Sequence, residues 1–372
     1  MSGGVDSSVA AALLKKDGYD VVGVFIKVWQ ADFLPCNWRE ERREAMRAAA
    51  HLGIPFLTLD LEKAYKKEVV DYMIREYGAG RVPNPDVMCN KHVKFGAFLD
   101  FAKKHGADFI ATGHYARIQS SVASCQLPVN TNAEGKASTS DWQLATGNYK
   151  LLSGADKEKD QSYFLWTLTQ NELRHTLFPI GHLLKKDVRK LARKFGLPNA
   201  DKKDSQGLCF MGKIDMQEFL QHYLKTTKGS VLNEKGDVVG DHEGAMLYTI
   251  GQRHGFRTHK KSTNEQPLFV IAKDIKHNTI TVAYRDPHSA TQTQQTLAVE
   301  SVNNIYGNTW PSEISARVRY HGALHPIERI TLEGRAGEME IAFRRTIERV
   351  APGQSVALYA GEVCLGGGIV ST

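Results

Sequence analysis

Strand-like and helical stretches alternate along the first third of the chain. The run VVGVFIKV at 21–28 predicts a buried strand, and two further strands are predicted at 56–61 and 109–112. Helices are predicted around them, at 7–14, 37–52, 65–77 and 93–105. Strands that are separated by single helices favour a parallel sheet with helices on both faces. The first half of the chain is therefore expected to be an α/β domain.

The pattern changes twice further along the chain. Residues 119–149 are polar, small and aperiodic, so we predict a surface insertion there. After about residue 230, short alternating segments are separated by Gly, Asn and Pro. Four of them read as antiparallel strands of a small β-barrel: ITVAYR (280–285), ISARVRYH (314–321), MEIAFRR (339–345) and QSVALYA (354–360).

The chain carries a formal charge of +7, and the basic residues cluster in one segment. Between positions 185 and 203, Asp187 and Asp201 are outnumbered by Lys185, Lys186, Arg189, Lys190, Arg193, Lys194, Lys202 and Lys203. A helical stripe in the same segment is expected to face a core, and it comprises Leu184, Val188, Leu191, Ala192 and Phe195. The basic side chains then face either plain solvent or an anionic ligand such as nucleic acid.

Five cysteines stand at positions 36, 89, 125, 209 and 364, with no C-x-x-C pair. This spacing argues against a zinc ribbon or a cluster built from local pairs, and the odd number argues against a disulfide framework. Cys89 follows the rigid Asn84-Pro85 step and precedes the helix predicted from Val93, so we expect its pKa to be lowered. Asp86 could move a proton there. On local chemistry alone, Cys89 and Cys209 could equally be packed, inert thiols.

The string Ser2-Gly3-Gly4-Val5-Asp6-Ser7-Ser8 stands directly ahead of the first predicted helix. A Gly pair lets backbone N–H groups approach an anion closely, and the helix dipole favours negative charge at that end. A simple capping turn is the alternative interpretation. The string resembles the PP-loop of the ATP pyrophosphatase superfamily, whose members cleave ATP between its α and β phosphates and adenylate a carbonyl oxygen.

Further strings extend this likeness through nearly the whole chain. In order they are SGGVDSS (2–8), NPDVMCNKHVKF (84–95), ATGHYAR (111–117), KDQSYFLW (159–166), KKDSQGLCF (202–210), YTIGQRHG (248–255) and APGQ (351–354). Together they resemble the tRNA-specific 2-thiouridylase family. The resemblance implies an α/β PP-loop domain at 1–205, a central domain at 206–284 and an antiparallel β-barrel at 285–372 that contacts tRNA.

The resemblance also implies the substrates and the site residues. It implies ATP with magnesium, tRNA, and a persulfide sulfur-carrier protein as donor. Cys89 would be the nucleophile-type cysteine, Cys209 would carry the persulfide, and a disulfide between them could close. The other implied positions are Ser2, Gly3, Gly4, Val5, Asp6, Ser7, Ile26 and Gly113 for ATP, Asn84, Pro85 and Asp86 for the target base, and His114, Lys159, Asp160, Gln161, Arg319, Tyr320 and Gln354 for tRNA. No resident metal site in the protein itself is expected.

Two features depart from the family pattern. Members carry a strand ahead of the PP-loop, whereas Met1 here stands directly before Ser2. We therefore expect a central strand of the sheet to be missing, with ladder groups unpaired and poor solubility unless residues ahead of Met1 are added. The 119–149 insertion is also longer than expected, and no function is assigned to it.

Two other functions remain open on the sequence alone. One is a PP-loop synthetase that acts on a small metabolite, and the other is a non-catalytic tRNA-binding protein. Neither a membrane-spanning run nor a signal peptide is visible in the sequence. We expect a monomer in the bacterial cytoplasm, with the mitochondrial matrix as the alternative compartment.

Overall fold

A computed structural model describes residues 1–34, 38–120, 149–204, 215–259, 267–284, 293–307, 310–332 and 337–371. Within these ranges, every helix is too short or too polar to cross a lipid bilayer. The elements of the N-terminal part are α1 (Val5–Lys16), β1 (Gly23–Lys27), α2 (Trp38–Leu52), β2 (Phe56–Asp60), α3 (Glu62–Tyr65), α4 (Asp71–Gly78), α5 (Pro85–Met88), α6 (Phe98–Lys104), β3 (Ile110–Ala111), β4 (Ala116–Ser120), β5 (Tyr149–Ser153), α7 (Gln170–Arg174), β6 (Thr176–Leu177) and α8 (Lys185–Lys194).

The parallel strands confirm the α/β class of the N-terminal part, but they form two pairs. β1 pairs with β2 from Gly23↔Phe56 to Lys27↔Asp60, and β3 pairs with β6. Among the described residues, no ladder joins the two pairs. The expected effect of a missing strand on solubility stays a prediction.

The helix that carries Cys89 differs from the sequence prediction. We expected a loop up to residue 92 and a helix from Val93, but the helical backbone begins at Pro85. Asn84 caps it, because its side-chain oxygen accepts a hydrogen bond from the Val87 N–H at 3.3 Å. A π-helical segment, Cys89–Ala97, continues α5 into α6. Cys89 therefore lies inside a helix and is fully buried, and the predicted position ahead of the helix is wrong.

Two strands at the edges of the predicted insertion join a sheet that lies elsewhere in the chain. β4 and β5 pair with each other, and β5 pairs with β17 (Val363–Val370) of the C-terminal part. Gln119, Ser120 and Tyr149 are thus strand residues, and residues 121–148 lie outside the described part of the chain. The N-terminal part is consequently hydrogen-bonded to the C-terminal barrel by a continuous ladder.

The central part folds as a separate five-stranded sheet. Its elements are α9 (Met216–Gln221), β7 (Gly229–Leu232), β8 (Val238–His242), β9 (Arg257–Thr258), β10 (Phe269–Asp274) and β11 (Thr279–Ala283). The strand order is β10-β11-β7-β8-β9, with β11 parallel to β7. Residues 280–283 of the ITVAYR segment are confirmed as strand residues in β11, but this strand belongs to the central sheet rather than to the barrel.

The C-terminal part is a closed antiparallel barrel. Its strands are β12 (Thr293–Asn304), β13 (Ser315–Arg317), β14 (His325–Leu332), β15 (Met339–Glu348), β16 (Ser355–Ala360) and β17. The order β12-β15-β14-β13-β16-β17 closes because β12 also pairs with β17. Closure removes exposed strand edges, and Ile341, Phe343 and Leu358 fill the interior. The predicted barrel is confirmed here.

Candidate functional site

The loop ahead of α1 has the backbone geometry of an anion-binding turn. Gly3 has a φ of 75°, and a Cβ at this position would lie 2.6 Å from the carbonyl oxygen of Glu41. Gly4 caps α1 without a side-chain hydrogen bond. First-turn N–H groups are therefore left for an anion at the positive end of the helix. We call residues 2–8 the phosphate loop.

Hydrogen bonds from hydroxyl groups and from the side-chain amide of a residue distant in sequence stabilise this loop. The Ser8 hydroxyl donates to the Gly4 carbonyl at 3.0 Å. The side-chain amide of Asn199 donates to the Gly3 carbonyl and lies 3.0 Å from Ser8 Oγ. Asn199 is buried and was not predicted, because no local sequence signal links it to a loop 196 positions away.

The Asp6 carboxylate is the charged centre of the phosphate loop. Lys185 Nζ lies 2.8 Å from both of its oxygens, and the Tyr115 hydroxyl donates to it at 2.9 Å. Burial and the adjacent Asp6 charge raise the pKa of Tyr115, so this phenol stays a donor at neutral pH. Gly113 packs against the same turn, because a Cβ there would lie 2.8 Å from the Ser7 nitrogen. The predicted ATP positions Asp6 and Gly113 are thus neighbours.

Lys185 also ties the phosphate loop to the end of the basic segment. Its ammonium lies 2.9 Å from Asp204, which is further bound by Arg189 at 2.6 Å and Lys159 at 3.2 Å. Burial alone would raise the pKa of Asp204, but its hydrogen bonds with Lys185 and Lys159 hold that pKa below the usual value. Asp204 is the last described residue before the segment that carries Cys209. Cys209 itself lies outside the described residues, as do Cys36 and Cys125.

Much of the basic segment pairs with carboxylates of this chain, although Lys190 and Arg193 remain largely exposed. Apart from Lys185 and Arg189, Arg193 pairs with Asp201 and Lys202 with Glu44. The apolar stripe is confirmed at Val188 and Ala192, which are buried. Leu184 is 38% exposed, so its predicted core position is wrong. Leu184 is the N-cap residue of α8, and its side chain points away from the core.

The loop that leads into the Asn84-Pro85-Asp86 step is hydrogen-bonded to the C-terminal barrel. The side-chain amide of Gln354 donates to the Val82 carbonyl at 2.8 Å, and the Val82 N–H donates to the Pro352 carbonyl at 2.8 Å. Gln354 therefore holds the loop that precedes the predicted base-binding residues. Its direct contact with tRNA stays a prediction.

An aromatic and charged surface lies beside this step. Tyr320 packs on Phe164 with ring centroids 4.5 Å apart, and burial and nearby carboxylates, Asp160 and then Asp86 among them, raise its pKa to about 12. Arg319 is 43% exposed and pairs with Glu348 at 3.2 Å. Both predicted tRNA positions, Arg319 and Tyr320, thus remain partly accessible.

Two predicted site residues are buried instead. The His114 ring packs against Phe95 and Phe178, and burial, with a smaller effect of Lys94, holds its pKa well below the usual value. The His114 ring is therefore neutral at pH 7. Ile26 is 8% exposed in the core next to β2. Their predicted contacts with tRNA and nucleotide stay predictions.

The Lys159-Asp160-Gln161 motif joins three parts of the molecule. Gln161 Oε1 accepts from the Tyr115 N–H at 3.1 Å, while Lys159 contacts Asp204. The Asp160 side chain is 2% exposed and pairs with Arg317 of the barrel at 2.9 Å. It also accepts hydrogen bonds from backbone N–H groups. The Asp160 carboxylate is thus engaged by groups of this chain, and its predicted contact with tRNA stays a prediction.

Asp160→Ala should lower the free energy of unfolding by about 3 kcal/mol, because it leaves the largely buried Arg317 guanidinium without its carboxylate partner. Chemical denaturation measures this change. The matched control is Asp201→Ala, since Asp201 pairs with Arg193 at the surface, where a pair contributes about 0–1 kcal/mol. Equal destabilisation by the two substitutions would contradict the interpretation.

The donor set of the phosphate loop fits a magnesium–nucleotide complex. Magnesium is usually held by one or two carboxylates together with substrate phosphates, and Asp6 supplies one carboxylate at the loop. In the described part of the chain, no group of three potential metal-ligating side chains occurs.

Three family models together match nearly the whole chain. Residues 1–213 match a model described as a tRNA methyl transferase HUP domain, 217–284 its PRC-barrel domain, and 294–370 an aminomethyltransferase beta-barrel domain. The methyl transferase wording of these descriptions differs from the names of the full-length relatives, which carry more weight because they match the chain from end to end.

Full-length relatives are named tRNA-specific 2-thiouridylase. The relative MnmA 2 from Geobacillus kaustophilus is 42% identical over 375 residues, which cover 100% of this chain and 93% of the relative. MnmA from Nitrosomonas eutropha is 42% identical over 378 residues, covering 100% and 97%. MnmA from Streptococcus pyogenes serotype M4 is 40% identical over 374 residues, covering 100% and 93%.

Proposed function

The chain belongs to the tRNA-specific 2-thiouridylase family, and on that premise we propose that it uses ATP to replace the carbon-2 oxygen of the wobble uridine of tRNA with sulfur. It is thus a tRNA sulfurtransferase. The observation that carries the proposal is the ammonium of Lys185, which bridges Asp6 of the phosphate loop and Asp204. The adenylation site thereby adjoins the start of the segment with Cys209.

Activation of the base comes first, because carbon 2 of uridine is a poor electrophile. The carbon-2 oxygen attacks the α phosphorus of ATP, the bond between the α phosphorus and the bridging oxygen breaks, and pyrophosphate leaves. The phosphate loop supplies N–H donors and hydroxyl groups to the departing pyrophosphate. Magnesium, when bound, neutralises phosphate charge, and Asp6 is the residue that would hold it.

Sulfur transfer then requires both thiols. We propose that Cys209 carries a persulfide and that the Cys89 thiolate attacks the Cys209 sulfur. The S–S bond to the terminal sulfur breaks, a Cys89–Cys209 disulfide forms, and the terminal sulfur leaves as sulfide. Sulfide adds to carbon 2 of the adenylated base and AMP departs with the former oxygen. A dithiol reductant is then needed to restore both thiols, and a persulfide-carrier protein to reload Cys209.

The target uridine must leave its stack to reach this chemistry. Asn84, Pro85 and Asp86 are proposed to hold the flipped base, since they lie at the start of the helix that carries Cys89. Tyr320 offers a partly accessible aromatic ring nearby. The other proposed tRNA contacts are His114, Lys159, Asp160, Gln161, Arg319 and Gln354. A monomer suffices for this arrangement, because each of these groups comes from one chain.

The test of the function is mass spectrometry of tRNA nucleosides after incubation with ATP and a persulfide donor. We expect 2-thiouridine at the wobble position together with tRNA-dependent release of pyrophosphate. Pyrophosphate release that depends on a small metabolite instead would indicate the synthetase alternative. Binding of tRNA with no detectable ATP binding would indicate the non-catalytic alternative.

Exposed members of the basic segment are expected to contact tRNA phosphates. Neutralising Lys186, Lys190 and Arg193 together should weaken tRNA binding and reduce the slope of log affinity against log salt by roughly 0.7–0.9 per lost contact, since fewer counterions are released. Arg189 is left unchanged, because it holds Asp204. Fluorescence titration at several salt concentrations measures the slope.

The control is a second triple variant that loses the same number of positive charges elsewhere. It neutralises Lys16, Lys103 and Lys104, three exposed lysines outside the segment. An equal change of slope in both triple variants would place the tRNA-contacting surface elsewhere.

A further inference from the structure

The side-chain amide of Asn199 is linked to both glycines of the phosphate loop. Its nitrogen donates to the Gly3 carbonyl at 3.0 Å and to Ser8 Oγ at 3.0 Å, and the Ser8 hydroxyl in turn donates to the Gly4 carbonyl at 3.0 Å. The amide oxygen has no hydrogen-bond partner among the described residues, although Asn199 is only 7% exposed. The orientation of this amide is therefore set by its two donor bonds to the loop.

These bonds decide which way the backbone N–H groups of the loop point. In a planar trans peptide, the carbonyl and the N–H lie on opposite sides of the chain. Holding the Gly3 carbonyl toward Asn199 and the Gly4 carbonyl toward Ser8 therefore turns the N–H of each following residue away from them. The Gly4 N–H has a long contact of 3.4 Å with the Ser2 hydroxyl, which a charged acceptor can replace. The N–H groups thus face an anion that approaches the start of α1.

Anchoring of the turn that contains Asn199 does not require this amide. Arg189 of α8 donates to the carbonyls of Ala200 and Lys202 at 3.4 and 3.0 Å, so the turn is already fixed to α8. Leu197 is buried in the apolar cluster that joins α8 to α1. Both donor bonds of Asn199 nevertheless go to the phosphate loop rather than to its own turn, which indicates that the loop is what they serve.

We propose that Asn199 is a positioning residue of the nucleotide site: its amide fixes the Gly3 and Gly4 carbonyls so that the N–H groups that follow them point at the pyrophosphate moiety of ATP. Donors that are held in this way need no rearrangement when negative charge develops on the leaving pyrophosphate. This role rests on the proposed function only in the identity of the nucleotide, because pyrophosphate binding can be measured without tRNA or sulfur.

The first experiment measures binding of inorganic pyrophosphate with magnesium by isothermal titration calorimetry. Asn199→Ala should raise the Kd about tenfold, because the released carbonyls let the loop turn its N–H groups away and a hydrogen bond to a charged ligand is weakened. It should also lower kcat for tRNA-dependent pyrophosphate release by at least about tenfold, with a smaller effect on KM for tRNA.

The matched control is Asn303→Ala in β12 of the barrel. The Asn303 side-chain amide also makes two donor bonds, to the carbonyls of Trp166 and Leu168 at 2.8 and 2.9 Å. Both variants should therefore lower the free energy of unfolding by similar amounts, measured by chemical denaturation, whereas the pyrophosphate Kd should change only in Asn199→Ala.

An unchanged Kd in folded Asn199→Ala, an equal rise in Asn303→Ala, or no binding of pyrophosphate to the unaltered chain would overturn the proposal. Ser8→Ala decides the matter if Asn199→Ala does not fold, because it removes only the bond to the Gly4 carbonyl. The Kd should then rise about threefold, and an unchanged value would count against the proposal. A raised Kd in Asn199→Ala, in a chain that makes no 2-thiouridine, would support Asn199 and contradict only the proposed function.

Discussion

Gly3→Val and Asp6→Ala should each reduce tRNA-dependent pyrophosphate release at least about 100-fold, the scale expected when a preorganised charge-stabilising group is removed. At Gly3 the backbone has a φ of 75°, which is strained for a β-branched residue, and the new Cβ would meet the Glu41 carbonyl at 2.6 Å. The phosphate loop must shift to relieve that contact, so its N–H groups no longer point at the bound phosphate. Asp6→Ala removes the carboxylate proposed for magnesium.

The chain offers close controls for both substitutions. Gly18 has a φ of 89° with open space around its missing Cβ, so Gly18→Val carries the same backbone cost without the clash. Asp17→Ala removes an exposed carboxylate at the opposite end of α1. Pyrophosphate release and unfolding midpoints are measured for all four variants. Near-normal release by Gly3→Val or Asp6→Ala would refute the assignment of the phosphate loop.

The cysteine variants should separate adenylation from sulfur transfer. Adenylation needs neither thiol, so Cys209→Ser should still release pyrophosphate in a tRNA-dependent way but form no 2-thiouridine. Cys89→Ser should also form none, while persulfide accumulates on Cys209 because no thiolate resolves it. Nucleoside mass spectrometry and persulfide labelling measure the two products.

The remaining cysteines serve as controls. Cys36→Ser and Cys125→Ser should retain thiolation, since neither residue lies in a matched motif. Cys364 is fully buried in β17, and burial raises its pKa to about 12, so it is expected to be unreactive. Alanine is the better replacement there, because it adds no buried hydroxyl. Full thiolation by the Cys209 variant, or its loss in the Cys125 variant, would refute the assigned roles.

The burial of Cys89 adds a condition to this mechanism. A Cys89–Cys209 disulfide needs Cα atoms within about 7 Å, yet the Cys89 thiol is inaccessible from solvent in this structure. We therefore expect substrate binding to make the Cys89 thiol accessible to Cys209. Alkylation of Cys89 should accordingly be slow in the free protein and faster with tRNA present.

Local features of this protein were determined by the sequence itself. The Gly3-Gly4 pair ahead of an apolar helix predicted the phosphate loop, because backbone freedom and a helix start are set by neighbouring residues. The alternation of ISARVRYH and MEIAFRR predicted barrel strands, since a period of two residues buries one face. The ordered motifs predicted the family, and the full-length relatives agree with it.

Partners that lie far apart along the chain were decided only by the tertiary structure. Asp6 and Lys185 are 179 positions apart, and no periodicity relates them, so the sequence alone groups Lys185 with its basic neighbours, facing solvent or an anionic ligand. The buried pair of Asp160 with the barrel residue Arg317, 157 positions away, likewise has no signal in the sequence. The side-chain oxygen of Asn84 caps the helix about one turn before Cys89. Cys89 therefore lies within the helical segment, where its thiol is buried. Charge and burial depend on which segments meet, and that is fixed by packing of the whole chain rather than by adjacent residues.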